Sequence, residues 1–354
     1  MNKALHILVE IGHPAHVHFF RHPIRLWREA GHSVTIVTRD KEITHRLLDE
    51  IGLEYTPLSV QKTGFFAMLL ELLYRWWRIF LIILARRIDV AVSISGISTA
   101  FPAWLAGRVA VTCTDTEDAR LSNAVAFRFS SFVLTPESYL GKERIRRLVA
   151  YPGYHELAYL HPARFTPDPA GLREFGASVS EPYVVVRLVK WKALHDIRES
   201  GIGEESLRKI LGLCRRNGCG VFLSSERPLA REFDPYMIKG RLSGVFDLMA
   251  FSAGFIGESP TMAVETALLG KPSVLINSRV GHLGNMIELE KRYDILHNFN
   301  DSEAAFGFLE SQFFTDKARS LAGERRERLL KDKIDVSGWL ADFVVRKTDE
   351  RGRS

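Results

Sequence analysis

The stretch FIGESPTMAVETALLGKPSVLI, residues 255–276, has the pattern of a short buried strand, a polar turn, a helix and a second strand. Ser259 or Thr261 can cap the helix, and Pro260 lies close to the first helical position, where proline is favoured. Gly270 ends the helix. A strand, helix and strand in this succession indicate a parallel sheet covered by helices.

The beginning of this helix is also a candidate anion site. Backbone N–H groups at a helix N-terminus have no partner within the helix and, together with the helix dipole, attract a diphosphate. Glu265 lies about one turn further on, where a carboxylate can accept hydrogen bonds from both hydroxyls of a ribose. The stretch therefore predicts a nucleotide site formed by Ser259, Pro260, Thr261, Met262 and Glu265, or else a well-capped helix without a ligand.

The same alternation of short apolar runs and amphipathic segments extends over most of the chain. A stretch that contains several prolines, residues 152–182, interrupts it. The predicted strands are Leu5–Glu10, Ser33–Thr38, Asp89–Ile94, Val109–Cys113 and Phe132–Thr135 before the interruption, and Tyr183–Val189, Gly220–Ser224, Gly254–Gly257 and Ser273–Ile276 after it.

The length of 354 residues predicts two domains, because single cores stop growing at about 250–300 residues. We expect an α/β fold of two doubly wound, Rossmann-like domains that face each other across a cleft. The predicted domains are residues 1–160 and 161–335, and a C-terminal helix and tail, residues 336–354, is expected to pack back on the first domain. Ligands of such sheets bind at the carboxyl ends of the strands, so the turns after the strands are the places to search for a site.

Composition excludes several classes of protein. With 46% hydrophobic and 25% charged residues, the chain is globular rather than disordered. Three cysteines without a CxxC pair support neither a disulfide framework nor a zinc site, and they fit a reducing cytoplasm. The apolar run at the start, about seven residues long, is too short for a signal peptide, so we expect the chain to stay in the cytoplasm.

The formal net charge of +6 comes from the N-terminal half of the chain. Residues 1–165 contain 20 Lys and Arg against 15 Asp and Glu, whereas residues 166–354 contain 28 against 27. This surplus is too small and too diffuse for a nucleic-acid-binding surface, but it suits an anionic membrane or a phosphorylated substrate.

The apolar segment Phe65–Leu84 raises the question of membrane contact. Its charged residues, Glu71, Arg75 and Arg78, have the i, i+4, i+7 spacing of one helix face, and Glu71 can pair with Arg75. Because each central charge costs about 2.5–3.5 kcal/mol, the segment is not expected to span a bilayer. It is either a mostly buried helix that covers the first sheet or a helix that partly contacts the bilayer surface.

The turn after the first predicted strand opens the segment GHPAHVHFFRHPIRLWREAGH, residues 12–32, which has neither a GxGxxG nor a Walker A pattern. Its histidines, His13, His16 and His18, could bind a metal, cap and pack the helix, or contact a substrate. An imidazole at the carboxyl end of a strand can take a proton from a sugar hydroxyl at neutral pH. We predict that His16 is a general base and that His13 and His18 contact the substrate.

A second charged turn follows the fifth predicted strand. The segment TDTEDAR, residues 114–120, carries three acids in four positions. Asp115 either caps the next helix, with the other acids complementing the helix dipole, or acts with Glu117 as a catalytic carboxylate that orients or deprotonates an acceptor hydroxyl. We name Asp115 and Glu117 as catalytic candidates.

The second half of the chain begins with VVVRLVKWKALHD, residues 184–196, at the end of a buried strand. Arg187 is expected to meet an anion, the diphosphate of the donor, because cations on buried strands seldom stay unpaired. Trp191 and His195 either contact the sugar or nucleobase or pack in the core. Asn285, in a glycine-flanked turn, is a candidate contact of the donor sugar.

The N-terminal turn resembles the GGTGGHxxPxL segment of inverting GT-B glycosyltransferases of the MurG type. His16 stands at the place of the His in that segment, and Gly31 and His32 stand at its closing Gly-His pair, while His13-Pro14-Ala15 replaces the glycines. The resemblance implies the GT-B fold, and it implies that His16 is the general base or the residue nearest the acceptor.

The stretch at residues 255–276 is similar to the donor-binding segment of the MurG-type enzymes and of the UDP-N-acetylglucosamine 2-epimerases. Ser259 and Glu265 keep the six-residue separation of the epimerase motif, which implies that Glu265 binds the nucleotide ribose. Glu117 lies near the place of the catalytic Glu in the epimerases' HVEAGLR segment. Residues 93–96, however, lack the acid of the epimerases' Gly-Asp-Thr turn, so epimerisation is the weaker interpretation.

The whole chain also resembles an uncharacterised prokaryotic family of GT-B fold that is associated with surface polysaccharide synthesis. We predict a glycosyltransferase that moves a hexosyl or N-acetylhexosaminyl group from a UDP-linked donor to a glycan or lipid-linked acceptor. Without a DxD motif, we expect no metal and no cofactor, and we expect no nucleic-acid partner. Contact through Phe65–Leu84 would hold the protein at the inner face of the cell membrane. The alternatives are an epimerase-like nucleotide-sugar enzyme and a non-catalytic sugar-nucleotide-binding protein.

Overall fold

A computed structural model describes residues 4–41, 43–190, 201–241, 244–277, 281 and 283–352 of the chain. These residues form two compact units. Unit 1 contains the described residues up to Arg164 and those from Ile334 onward, and unit 2 contains those between Phe165 and Lys333. The chain therefore leaves unit 1, forms unit 2 and returns to unit 1.

Within its described part, unit 1 contains a seven-stranded parallel sheet in the order β3-β2-β1-β4-β5-β6-β7. Its central strands are aliphatic and almost wholly buried, as expected when helices cover a parallel sheet. The strands are β1 His6–Ile11, β2 Ser33–Asp40, β3 Thr56–Val60, β4 Val90–Ile94, β5 Val109–Cys113, β6 Phe132–Pro136 and β7 Leu148–Tyr151. The helices are α1 Pro14–Glu29, α2 Thr44–Glu50, α3 Phe65–Ala85, α4 Ala100–Leu105, α5 Arg120–Phe129, α6 Leu157–Leu160 and α13 Val336–Gly352.

Unit 2 has a five-stranded parallel sheet over its described residues, in the order β12-β11-β10-β8-β9. Aliphatic side chains of β8, β10 and β11 form its core together with the apolar face of helix α7. The strands are β8 Tyr183–Leu188, β9 Gly220–Ser225, β10 Gly254–Gly257, β11 Ser273–Ile276 and β12 Leu296–Phe299. The helices are α7 Glu204–Arg216, α8 Val245–Ala250, α9 Pro260–Leu268, α10 Gly284–Lys291, α11 Ser302–Phe308 and α12 Asp316–Asp332.

The nine strands that the sequence predicts are confirmed, with bounds that differ by at most two residues at an end. The sequence pattern does not indicate β3, β7 and β12, which are edge strands of the two sheets. Pro57 interrupts β3, β7 has only four residues, and β12 carries the polar side chains of His297 and Asn298. Short edge strands of this kind lack the apolar run by which a buried strand is recognised.

Helix α13 completes the core of unit 1. The indole Nε1 of Trp27 in α1 donates a hydrogen bond to the backbone carbonyl of Ala341 at 3.1 Å. Trp339 packs against Tyr151, with ring centroids 4.9 Å apart, and Phe343 packs against Phe132 at 5.4 Å. The last described helix is therefore part of the core of the unit in which the chain begins.

The sequence leaves two interpretations of helix α3, a mostly buried helix and a helix that partly contacts the bilayer surface. The first of these is wrong. The buried side chains of α3 are Glu71, Arg75, Ile79 and Ile83, so one face packs inward and carries two of the helix's charges. The outward face is apolar and exposed. The charges are buried because other elements supply partners for them, as described below. No helix in the described part of the chain is both long enough and apolar enough to span a membrane.

Candidate active site

The strand order of each sheet changes direction at one point. In unit 1 the chain passes from β1 to β2 and β3 on one side of the sheet and then crosses to β4 on the other side. In unit 2 it passes from β8 to β9 on one side and then crosses to β10 on the other. The crevice beside the carboxyl ends of such a strand pair is where α/β sheets bind ligands.

In unit 2, helix α9 begins at this switch point. The hydroxyl of Ser259 accepts a hydrogen bond from the backbone N–H of Met262 at 3.4 Å, which makes Ser259 the N-cap and Pro260 the first helical residue. Strands β8 and β10 lie so close that a Cβ on Gly257 would be 2.6 Å from the carbonyl oxygen of Arg187. Glu265, in the second turn of α9, is only 5% exposed.

Arg187 already has an anionic partner that belongs to the protein itself. Its guanidinium donates to the hydroxyl of Ser224 at 2.5 Å and forms an ion pair with the carboxylate of Glu226. Both partners lie at or just beyond the end of β9. Contact between Arg187 and a donor diphosphate stays a prediction, in which the phosphate competes with Glu226 for the guanidinium.

A buried carboxylate that sequence reasoning missed lies beside this site. Glu258, between β10 and the N-cap of α9, accepts hydrogen bonds from the backbone N–H of Val189 at 2.8 Å and of Ile202 at 2.6 Å. Arg227 pairs with Glu258 at 3.3 Å and donates to the backbone carbonyls of the same two residues. The pair thus fixes both ends of the segment that follows β8. The sequence did contain one signal for Glu258, which is an acidic residue directly after an apolar strand.

The structure describes some of the remaining predicted site residues of unit 2 and not others. Trp191 and His195 lie outside the described residues. Asn285 is buried in the first turn of α10, where its side-chain oxygen accepts the backbone N–H of Met286 at 2.8 Å. Thr261 follows Pro260 in the first turn of α9. The roles of these residues as substrate contacts stay predictions.

In unit 1, two histidines of the N-terminal turn bind backbone N–H groups. His13 is the N-cap of α1, and its Nδ1 accepts the N–H of Ala15 at 3.2 Å. The Nδ1 of His16 accepts the N–H of Gly12 at 3.3 Å. Burial, followed by the charges of His13 and other neighbouring groups, lowers the pKa of His16 to about 3.

A histidine that the sequence did not indicate pairs with one of the predicted acids. Asp115 follows β5, and its carboxylate lies 3.1 Å from the Nδ1 of His155, which follows β7. The ring of His155 packs on Phe19 with centroids 4.6 Å apart. Asp115 does not cap α5, whose N-cap is Ala119. His155 was missed because it follows β7, a strand that the sequence pattern does not indicate.

The other two predicted residues of unit 1 have structural contacts. His18 packs on Tyr159 of α6, with ring centroids 5.5 Å apart, and burial lowers its pKa to about 3. Glu117 accepts the backbone N–H of Leu140 at 3.1 Å. A substrate contact by His18 and a catalytic role of Glu117 stay predictions.

A buried charged network lies next to the same turn. Arg75 of α3 donates to the hydroxyl of Ser98 at 2.6 Å and lies 3.4 Å from the carboxylate of Glu10 at the end of β1. A Cβ on Gly12 would lie 3.0 Å from that carboxylate. Burial raises the pKa of Glu10, an effect that Arg75 opposes. Arg75 therefore connects the end of β1 with the turn that follows β4.

Among the described residues, no group of three or more His, Cys, Asp and Glu side chains is arranged to hold a metal ion. The histidines of the N-terminal turn instead bind backbone N–H groups and pack on aromatic rings.

Solved structures with two α/β units resemble this chain over almost its whole length. UDP-GlcNAc 2-epimerase from Methanocaldococcus jannaschii, in complex with UDP-GlcNAc and UDP, has a TM-score of 0.60 at 12% identity, covering 92% of this chain and 99% of that one. The glycotransferase of kitacinnamycin has a TM-score of 0.63 at 13% identity, covering 97% and 99%. MurG from Acinetobacter baumannii has a TM-score of 0.60 at 12% identity, covering 98% and 100%.

These similarities define the fold of the chain. The chain has the GT-B-like fold, which glycosyltransferases and UDP-GlcNAc 2-epimerases share, and the fold expected from the sequence is confirmed. The chain belongs to the DUF354 family, described as a protein of unknown function, whose model matches residues 5–283. No curated protein has a sequence that matches this one.

Proposed function

We propose that this chain is a glycosyltransferase that transfers a sugar from a nucleotide diphosphate donor, held by unit 2, to an acceptor hydroxyl at the carboxyl edge of the sheet in unit 1. The observation that carries the proposal is the start of α9 at the switch point of unit 2. There an N-capped helix start, the buried carboxylate of Glu265 and the guanidinium of Arg187 come from adjoining elements. A helix N-terminus and a guanidinium stabilise a departing diphosphate, and a carboxylate can bind the ribose hydroxyls.

The donor site predicts a defined loss of affinity. The change Glu265→Gln removes the charged acceptor of two hydroxyl hydrogen bonds, so we expect UDP to bind at least about tenfold more weakly. Isothermal titration calorimetry with UDP, other nucleoside diphosphates and their sugars measures this change.

The matched control is Glu303→Gln, which alters an acid on the exposed surface of the same unit. It should leave the affinity for UDP unchanged. If the unaltered protein binds no nucleotide or nucleotide sugar at millimolar concentration, the proposed donor site is wrong.

A second candidate function is epimerisation of the nucleotide sugar. The similarity to UDP-GlcNAc 2-epimerases favours it, as do the carboxylates of Asp115 and Glu117 at the edge of unit 1. The turn at residues 93–96 carries no acid, which argues against a reaction that needs several proton-transferring groups. Proton NMR of UDP-GlcNAc incubated with the protein and no acceptor distinguishes the two, because only an epimerase converts the sugar under these conditions.

We propose that the acceptor is lipid-linked and that α3 rests on an anionic bilayer. Phe66 is 78% exposed and Leu70 is 66% exposed on the outward face of α3. Ring contacts of Phe101 with Trp76 and Trp104 connect this face to α4. The exposed cations Lys62, Arg86 and Arg87 flank the helix, and Arg78 lies within it. Apolar side chains surrounded by cations fit the interface of an anionic membrane.

The double change Phe66→Asp and Leu70→Asp should abolish this contact. Each large apolar side chain contributes about 1.5–3 kcal/mol when fully buried, so membrane partitioning should fall by about 100-fold or more. Sedimentation with vesicles of phosphatidylglycerol and phosphatidylcholine measures the bound fraction.

Val179→Asp is the matched control, because Val179 is an apolar residue of unit 2 that is 62% exposed. It should leave vesicle binding unchanged. If neither the unaltered chain nor the double variant binds vesicles, and the unaltered chain sediments as a dimer that the double variant does not form, then the outward face of α3 binds a second copy of the chain and not a bilayer.

A further inference from the structure

The hydrogen bonds of the histidines in unit 1 determine where each neutral ring carries its proton. A ring nitrogen that accepts a backbone N–H must be unprotonated, so the proton of a neutral ring is on the other nitrogen. The Nδ1 atoms of His13 and His16 both accept backbone N–H groups. Both rings therefore carry their proton on Nε2, which is a hydrogen-bond donor and cannot take a proton from a hydroxyl.

His155 has the opposite arrangement. Its Nδ1 lies 3.1 Å from the carboxylate of Asp115, which can only accept, so the proton is on Nδ1. The Nε2 of His155 then carries a lone pair. Within the described part of the chain, this buried atom has no hydrogen-bond partner. Buried polar atoms are rarely left without a partner, and one that is calls for an explanation.

We propose that His155, positioned by Asp115, is the general base that deprotonates the acceptor hydroxyl, and that His16 donates a hydrogen bond to the acceptor. This inference rests on the proposed glycosyltransferase function. It differs from the role that the resemblance implies for His16, because the Nδ1 of that ring is occupied by the N–H of Gly12. An imidazole whose Nδ1–H is held by a carboxylate has a fixed orientation and a stabilised protonated form.

The reaction balances without a further reactant. The acceptor oxygen forms a bond to the anomeric carbon of the donor sugar, and the bond from that carbon to the diphosphate oxygen breaks. The nucleoside diphosphate leaves with the electron pair of the broken bond. The hydroxyl proton moves to the Nε2 of His155, and the resulting imidazolium is paired with the carboxylate of Asp115.

The surroundings of His155 suit this role. Its side chain is 9% exposed, so the base has little water to lose before it reacts. Nε2 is buried in the folded chain, so the acceptor reaches it only when a neighbouring side chain moves, and catalytic hydrogen bonds often form only in the complex. The carboxylates of Asp115 and Glu156 act on His155. His16 is affected by His155 itself and by His13, Lys41 and Asp115.

The pKa directions of the two histidines differ. Burial works against charging His155, but the carboxylate of Asp115, its hydrogen bond and the carboxylate of Glu156 together raise the pKa above its usual value. The pKa of His16 is lowered to about 3, chiefly by burial. A base with a raised pKa loses activity as pH falls toward neutrality, whereas a base with a pKa near 3 gives a flat profile over the same range.

The variant His155→Asn tests the proposal. The asparagine amide can still donate to Asp115, but it has no lone pair in the place of Nε2. We expect kcat to fall by about 10²–10⁴-fold, the usual contribution of a general base, while KM for the donor and the affinity for UDP change little. The assay follows UDP release from the nucleotide sugar that binds in calorimetry, with glycolipid-containing vesicles as acceptor. The matched control is His6→Asn. His6 is the first residue of β1, at the amino end of the strand and away from the site, so this change should leave kcat unchanged.

The pH profile separates a base from a structural residue. In the unaltered protein, kcat should rise with pH through a value above 6.5. In Asp115→Asn this rise should move to lower pH, because burial, which lowers the pKa of His155, is then opposed only by Glu156. A profile that is flat from pH 6 to pH 9 in the unaltered protein would overturn the assignment to His155.

NMR of protein labelled with ¹⁵N-histidine tests the same geometry without a substrate. The ring signals are assigned by comparison with the variants His155→Asn and His16→Asn. We expect the proton of His155 on Nδ1 and the proton of His16 on Nε2. The reverse pattern overturns the inference. If UDP is released normally by His155→Asn, only the inference fails, whereas absence of UDP release from the unaltered protein with every bound nucleotide sugar removes the proposed function and the inference with it.

Discussion

The change Glu71→Ala should lower the free energy of unfolding by about 3–5 kcal/mol, the usual cost of leaving buried charges without their partner. Glu71 is 3% exposed and accepts two hydrogen bonds from Arg39, each 2.8 Å long. It also accepts the hydroxyl of Ser59 at 2.7 Å and the backbone N–H of Lys62 at 3.0 Å. Arg75, which is buried too, lies 3.7 Å from it. Alanine leaves the guanidinium of Arg39, the hydroxyl of Ser59 and the N–H of Lys62 without this acceptor, and it removes one of the two carboxylates beside Arg75.

Urea unfolding of the full chain, followed by tryptophan fluorescence, measures this loss. Five of the six tryptophans lie in residues assigned to unit 1, so the signal reports mainly on that unit. The control is Glu29→Ala, which removes an exposed ion pair with Arg25 and should change stability by less than about 1 kcal/mol. Replacing Glu71 and Arg39 together by methionine should cost less than Glu71→Ala alone, because no buried charge then loses its partner at that pair. Equal losses in Glu71→Ala and Glu29→Ala would contradict the importance of the network.

Lowering the pH from 7.5 to 5 should destabilise the protein by about 2–4 kcal/mol through two histidines of α1. Burial lowers the pKa of His16 and of His18 from 6.5 to about 3. Below pH 6.5 the unfolded chain takes up protons at these rings and the folded chain does not, so stability falls with pH until about pH 3. Both residues are partly exposed, so water screens part of this effect.

Other groups also titrate in this range. Burial lowers the pKa of His22 to about 4 and lowers that of His297, so both rings add to the loss, whereas His155 acts in the opposite direction. The raised pKa of His155 gives stability that is present below pH 6.5 and is lost only as pH rises above it. Burial opposes ionisation of Glu71, but its hydrogen bonds and Arg39 outweigh burial and lower the pKa to about 2, so its contribution is lost only below pH 4.5. Urea unfolding at pH 7.5 and 5 measures the loss. The double variant His16→Gln and His18→Gln should reduce the difference, and an undiminished difference would show that other groups cause it.

Much of the fold could be predicted from the sequence, because it depends on local patterns. Apolar runs identify the central strands, and the sequence around Ser259 identifies a helix start and its cap. The orientation of α3 could not be predicted in the same way. Spacing places Glu71 and Arg75 on one face, but burying that face is favourable because β1, β2, β3 and the turn after β4 supply partners for the charges.

Some residues of the candidate site could likewise be predicted from local patterns, and others could not. Residues that belong to one strand and the turn after it, such as His13 and Ser259, could be located by their distance from a predicted strand. His155 and Glu258 could not, because their importance lies in partners 40 and 31–69 residues away in the chain. The proton positions on His16 and His155 likewise depend on which hydrogen bonds the folded chain forms.

The return of the chain to unit 1 has a consequence for how the protein is made. Trp27, Tyr151 and Phe132 are synthesised before unit 2, but their partners in α13 are synthesised after it. At about 5–20 residues per second, the ribosome needs roughly 10–30 s to make unit 2. During that time the first part of unit 1 exposes the surface that α13 later covers. Unit 2 can close its own core first, so of these two units the one that is begun earlier is completed later.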